Sequence, residues 1–179
     1  PIFSSGGEGP CHLSVDKTGQ CVLVANYGGG SVASLSLNSD GSLKSTGSFH
    51  QHAGPVHLPQ RQGGPHGHSI NVSPDNQFAF AADLGLDKIL IYKLDPEKAT
   101  LTPHTTPHAS VAPGSGPRHF TFLPNGRFAY VINEINCTVT GFAYDPKRGS
   151  LREIQSVSTL PAGQSVKPEF STAEIVAHP

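Results

Sequence analysis

Apolar residues along this chain gather in short runs, each broken by glycine, proline, asparagine or aspartate. Three of the runs, Cys21–Asn26, Phe78–Asp83 and Phe128–Asn133, are almost wholly apolar rather than alternating. That pattern fits a strand covered on both faces. Around the third, the pattern predicts strands at His119–Leu123, Thr138–Tyr144 and Leu151–Ser158. The turns Pro124-Asn125-Gly126 and Asp145-Pro146-Lys147-Arg148-Gly149 separate them. No segment carries a convincing helical period.

The same grouping recurs. GPCHLSVDKTGQCVLVANYGGGSVASLSLNSDGSL is echoed by GPHGHSINVSPDNQFAFAADLGLDKILIYKLDPEKATL and again by GPRHFTFLPNGRFAYVINEINCTVTGFAYDPKRGSL. Lys17, Pro74, Pro124 and Pro179 fall in register, giving a unit of about fifty residues. Repeated four-stranded antiparallel sheets, each buried by the next, predict an all-β fold, a β-propeller with strand 1 on the channel and strand 4 on the rim. The expected blades cover 10–49, 64–106 and 116–159, with a further blade opening at 173–179. A β-sandwich would not need the motif three times over. The chain holds roughly three and a half such blades, short of the four to eight that close a ring, and it has no methionine, so we expect a piece, about half, of a longer protein. Such a piece exposes blade faces and strand edges and is expected to self-associate.

Composition narrows the function classes. Charged residues are 14% and the formal net charge is −1, which favours neither nucleic acid nor a membrane surface as a partner. No apolar stretch approaches a membrane span, and PIFSSGGEG lacks the features of a signal peptide. Cys11, Cys21 and Cys137 form no C-x-x-C pair and read as reduced thiols, so a cytoplasmic location is expected.

The alignment of repeats also picks out chemistry. His68 and Arg118 lie the same number of positions before Pro74 and Pro124, at the start of strand 1 in adjacent blades, and Cys11 is their counterpart in the first. Glu134 follows the second strand of the Arg118 blade, and antiparallel order returns it beside the start of strand 1. His12, Ser69, His119 and Glu174 form the next ring of equivalents. His12 and His119 also read as architectural histidines that bond a neighbouring blade, and Arg118 with Glu134 as a structural ion pair. Asn26, Asp83 and Asn133, closing the second strands, read as turn-forming side chains. Gly28-Gly29-Gly30 has no following helix and no Lys-Ser/Thr, so it reads as a hairpin rather than a phosphate loop. The crowded His50, His52, His57, His66 and His68 fit no zinc spacing, so no metal and no cofactor is expected. Their loop is expected to cross the channel mouth and shape a pocket.

The strings VANYGGGSV, PHGHSINVSPD, AADLGLDKI, GPRHFTFLPNGRFAYVINE and VSTLP resemble the lactonase family of seven-bladed propellers. Its members include 6-phosphogluconolactonases and carboxy-cis,cis-muconate cyclases. The resemblance implies an active-site cleft at one end of the channel, with His68, Arg118 and Glu134 as catalytic residues and a further arginine from a later blade. With that arginine outside the chain, catalysis by these residues alone is not expected to be complete. His66, His119 and Glu174 are expected around the same opening as substrate contacts. The implied activity is hydrolysis of a small anionic sugar lactone, 6-phosphogluconolactone first, in the pentose phosphate route. A muconate-type cycloisomerase and a non-catalytic binding scaffold are the alternatives. Glu134 would be the general base or the group that orients it, with His68 as acid/base partner and Arg118 as an electrostatic clamp; the first two roles are exchangeable.

Overall fold

The computed structural model describes residues 2–178 and contains three four-stranded antiparallel sheets. The first comprises β1 (Pro10–Val15), β2 (Cys21–Asn26), β3 (Ser31–Leu37) and β4 (Leu43–Gln51). A one-turn helix, α1 (Pro59–Gln62), interrupts the path to β5 (Gly67–Val72), β6 (Phe78–Asp83), β7 (Lys88–Asp95) and β8 (Thr100–Ser110). The third sheet comprises β9 (Pro117–Phe122), β10 (Phe128–Asn133), β11 (Thr138–Asp145) and β12 (Ser150–Ser158). Every strand pairs with its sequence neighbours, so each sheet is a simple meander. The second strands fall on the residues their apolar runs predicted, while β8 extends past the expected limit to Ser110. The absence of helix was overstated by one turn: Pro59 pre-sets its start and Gly63 closes it through a bond to the Pro59 carbonyl.

The sheets stack face to face around a shared side. β5 packs between β1 and β9, and β8 between β4 and β12, so first strands neighbour first strands and fourth strands neighbour fourth. Strand alternation explains why β6 is apolar up to its closing Asp83. Ala79 and Ala81 enter the core shared with Leu23, Ala25 and Val32 of the first sheet. Phe78, Phe80 and Ala82 enter the core shared with Phe120, Val131 and Phe142 of the third. Phe80 is fully buried and lies parallel to Phe120 at 5.7 Å between ring centroids. Burial of such a side chain stabilises by about 1.5–3 kcal/mol.

Aspartates close the turns. Asp16 accepts from the backbone N–H groups of Thr18, Gln20 and Cys21, and Asn76 of the next sheet donates to it at 3.1 Å. Burial works against its charge, but the bonds from Thr18, Asn76 and Cys21 prevail and hold its carboxyl down at about 2. The β2–β3 hairpin ends at Gly30, whose φ of 60° and contact with the Pro65 carbonyl leave no room for a side chain. Residues 173–178, expected to open a further blade, form no strand here. They run beside β9, where the Ala173 carbonyl accepts from Arg118 and the Glu174 carboxylate lies 2.7 Å from His119. The in-register Pro179 lies outside the described residues.

Candidate active site

The first strand of every sheet contains a bulge at the same place. Pro10 pairs with Asn26 but His12 pairs with Ala25; Gly67 and Ser69 pair with Asp83 and Ala82; Pro117 and His119 pair with Asn133 and Ile132. The extra residues are Cys11, His68 and Arg118. A bulge leaves its extra residue outside the ladder and re-aims the side chain. Here all three line one cleft of about 530 Å³, together with Glu8, Tyr27 and His119.

His68 is buried, with its ring edge-on to Tyr27 at 5.2 Å and to His119 at 5.4 Å. Its Nδ1 has no hydrogen-bond partner among the described residues. Burial first, and the Arg118 charge second, bring the imidazole down to about 4, so it is neutral at physiological pH. Arg118 donates from Nε to Glu134 Oε2 at 3.1 Å and from Nη1 to the Ala173 carbonyl. Glu134 is fixed by its own N–H, which donates to the Gly116 carbonyl at 2.8 Å. Glu134 does not line the cleft; its carboxylate braces Arg118 through the bond from Nε.

The remaining expected residues divide. His66 donates from Nδ1 to the Tyr27 carbonyl at 3.0 Å and stacks on the Tyr27 ring at 4.5 Å. Burial, and then the Glu134 charge, push the Tyr27 phenol up. His119 lines the cleft, but its Nδ1 lies 2.7 Å from Glu174 Oε2. Burial opposes the Glu174 charge, yet the bonds from His119 and the Ile175 N–H keep its carboxyl below the usual range. His66 and Glu174 do not line the cleft. His12 completes the row of rings, 5.3 Å from His119, and its Nδ1 accepts from the Ile70 N–H at 3.3 Å, as an architectural histidine would.

The histidine-rich loop distributes its members among separate partners. His50 meets the Leu101 carbonyl at 2.8 Å, His52 meets Asp83 at 2.6 Å and His57 meets Asp87 at 2.9 Å. Among the described residues no three His, Cys, Asp or Glu side chains gather as metal ligands would. Asp83 also accepts from the N–H groups of His66, Gly85 and Leu86, which makes it the turn-forming residue its position suggested. Cys11, Cys21 and Cys137 are all free thiols.

Sequence reasoning missed two participants. Tyr27 was hidden in what read as a glycine hairpin. Arg61, on α1, reaches Glu134 with Nη2 3.5 Å from Oε1. No spacing rule points to it, because it arrives on a loop rather than on the repeat. Only the expectation that this loop crosses the mouth hinted at such a residue.

Residues 2–179 match the family described as Lactonase, 7-bladed beta-propeller. The 6-phosphogluconolactonase of Bacillus subtilis is 42% identical over 155 residues, covering 87% of this chain and 43% of the relative. That of Pectobacterium carotovorum is 33% identical, with coverages of 86% and 43%. Among solved structures, the periplasmic gluconolactonase PpgL of Pseudomonas aeruginosa superposes with a TM-score of 0.79 at 40% identity, over 87% of this chain and 44% of that one. The chain thus spans less than half the length of these relatives.

Proposed function

The chain belongs to the lactonase family of seven-bladed β-propellers, and from that membership we propose that it supplies part of the mouth of a lactone hydrolase. The proposed substrate is an anionic sugar lactone, 6-phosphogluconolactone in the first place, opened to 6-phosphogluconate. The observation that carries this reading is the bulge pair: an imidazole and a guanidinium from adjacent blades are turned into one cleft. Relatives named for the same reaction support it.

In the proposed mechanism neutral His68 accepts a proton from water as the water oxygen adds to the lactone carbonyl. Arg118 stabilises the oxyanion that develops. Collapse breaks the bond from the carbonyl carbon to the ring oxygen, and the imidazolium returns its proton to that oxygen. The acid product then loses a proton to solvent. Glu134 takes the orienting role, since its two oxygens face Arg118 and Arg61. No step needs a metal or an organic cofactor.

Proton release from freshly made 6-phosphogluconolactone, followed against the spontaneous rate, tests the reading in the protein that carries this chain. Acceleration above the background is expected; cyclisation of a carboxylated muconate without lactone hydrolysis would favour the cycloisomerase, and neither reaction the scaffold. We also propose a cytoplasmic location on the strength of the three free thiols, although one structural relative is described as periplasmic. No helix among the described residues is long and apolar enough to cross a membrane. Cell fractionation checks the location.

A further inference from the structure

Arg61 has no place in the mechanism above, yet the chain between the first two sheets is built to present it. Gln62, next to it, is fully buried and its side chain works as an internal splice. Its Oε1 accepts from the N–H groups of His57 and Leu58 at 3.1 and 2.7 Å, and its Nε2 donates to the Leu84 carbonyl at 3.0 Å. His57 meets Asp87, which also accepts from the N–H groups of Gly114 and Gly116. His52 meets Asp83, with both side chains at 0% exposure. The loop is thereby pinned to the second sheet and to the approach to β9 at several points, and α1 is fixed where the Arg61 charge acts on Tyr27 of the cleft.

What that scaffold displays is one guanidinium. The Arg61 side chain is 41% exposed, and Glu134 is the only carboxylate it reaches among the described residues, at 3.5 Å. Arg118, by contrast, is tied on two sides, to Glu134 and to the Ala173 carbonyl. Glu134 therefore lies between two arginines, one oxygen toward each. The two guanidiniums do not have equal freedom: Arg118 lines the cleft and is held there, whereas Arg61 lies outside the lining and keeps donors available within electrostatic reach of Tyr27, a wall of the cleft.

We propose that Arg61 is a specificity residue that grips a second anionic group of the substrate, a phosphate monoester, away from the reacting carbonyl. The inference rests on the lactonase reading of this cleft and adds to it which residue selects the phosphorylated substrate. A planar fork suits phosphate oxygens bidentately, and the long contact to Glu134 is one that an incoming dianion could displace at little cost. Because the gripped group is remote from the bond that breaks, its loss should weaken binding more than turnover.

Calorimetric titration of the full protein with 6-phosphogluconate and with gluconate, alongside lactonase kinetics, tests this in Arg61→Gln and Arg61→Lys. Arg61 is half-exposed, so neither variant removes core packing. For Arg61→Gln we expect at least about tenfold weaker binding of 6-phosphogluconate, with gluconate within about twofold. KM for the phosphorylated lactone should rise by a similar factor while kcat stays within about threefold, and Arg61→Lys should recover part of the loss. Unchanged 6-phosphogluconate affinity, or an equal loss for both acids, overturns the proposal. If the unaltered protein hydrolyses no lactone but its preference for 6-phosphogluconate still depends on Arg61, the lactonase reading fails and the anion-gripping role stands.

Discussion

His68 was visible in the sequence through the resemblance of PHGHS and through its register with Arg118, and the structure gives that register its physical content. Both are the surplus residue of a bulge, which no composition or periodicity reveals because the slip is made by the backbone. His68→Ala should lower kcat/KM about 10²–10⁴-fold, as measured by proton release, the range expected for losing an acid/base group. With its imidazole brought down to about 4, the acidic limb of the free enzyme's kcat/KM should lie well below the 6.5 of an ordinary histidine. Arg118→Gln, by removing the second cause of the depression, should move that limb upward. Stability carries the same signature. The unfolded chain binds the His68 proton more readily than the folded one, so folding free energy falls as pH drops from 6.5 toward 4. Asp16 acts in a lower window: its contribution is complete above 3.8 and is lost as pH falls toward 2. Urea midpoints measured from pH 7 to pH 2 should fall across both windows, and His68→Gln should flatten the upper one. A midpoint that is constant between pH 6.5 and 4 would contradict the buried, neutral imidazole.

Elements of two kinds meet at the cleft, and they were unequally legible. The second strands could be located to the residue because each is apolar up to a closing Asn or Asp, and β6, covered on both faces, shows why, with Ala79 and Ala81 on one side and Phe78 and Phe80 on the other. The loop carrying α1 is held by polar side chains that meet partners from distant parts of the chain, His52 with Asp83 and His57 with Asp87. Nothing in a linear pattern marks such pairings. Its histidines are crowded in sequence, whereas the partners of His50, His52 and His57 lie on the second sheet and on the turn that follows β6. Gln62→Ala should leave two loop N–H groups and the Leu84 carbonyl without their partner and cost about 1–3 kcal/mol. Hydrogen exchange should then quicken in residues 57–63 while the amides of β6 and β10 keep their protection. Equal acceleration everywhere would mean that the splice stabilises the sheets rather than the loop.

At the scale of the molecule, stability resides in the two faces where sheets meet. Phe80→Ala empties the centre of the second face and should cost about 3–5 kcal/mol, read as a lowered melting temperature. The repeat in the sequence announced this stacking, since an apolar second strand in every unit requires a cover on each side. The same repeat also predicts an exposed blade face. Leu13 and Val15 on β1 are 64% and 47% exposed, with no other sheet of this chain over them. We expect these 179 residues alone to self-associate through that face, with sedimentation at micromolar concentration reporting species larger than a monomer. Leu13→Lys with Val15→Lys should restore the monomer, and a monodisperse monomer in the unaltered chain would refute the expectation. The bulges carry one more implication. Thiol, imidazole and guanidinium occupy equivalent surplus positions outside the strand ladders, so a protein engineer could vary the reactive groups at Cys11, His68 and Arg118 and redirect the chemistry without redrawing the ladders that hold them.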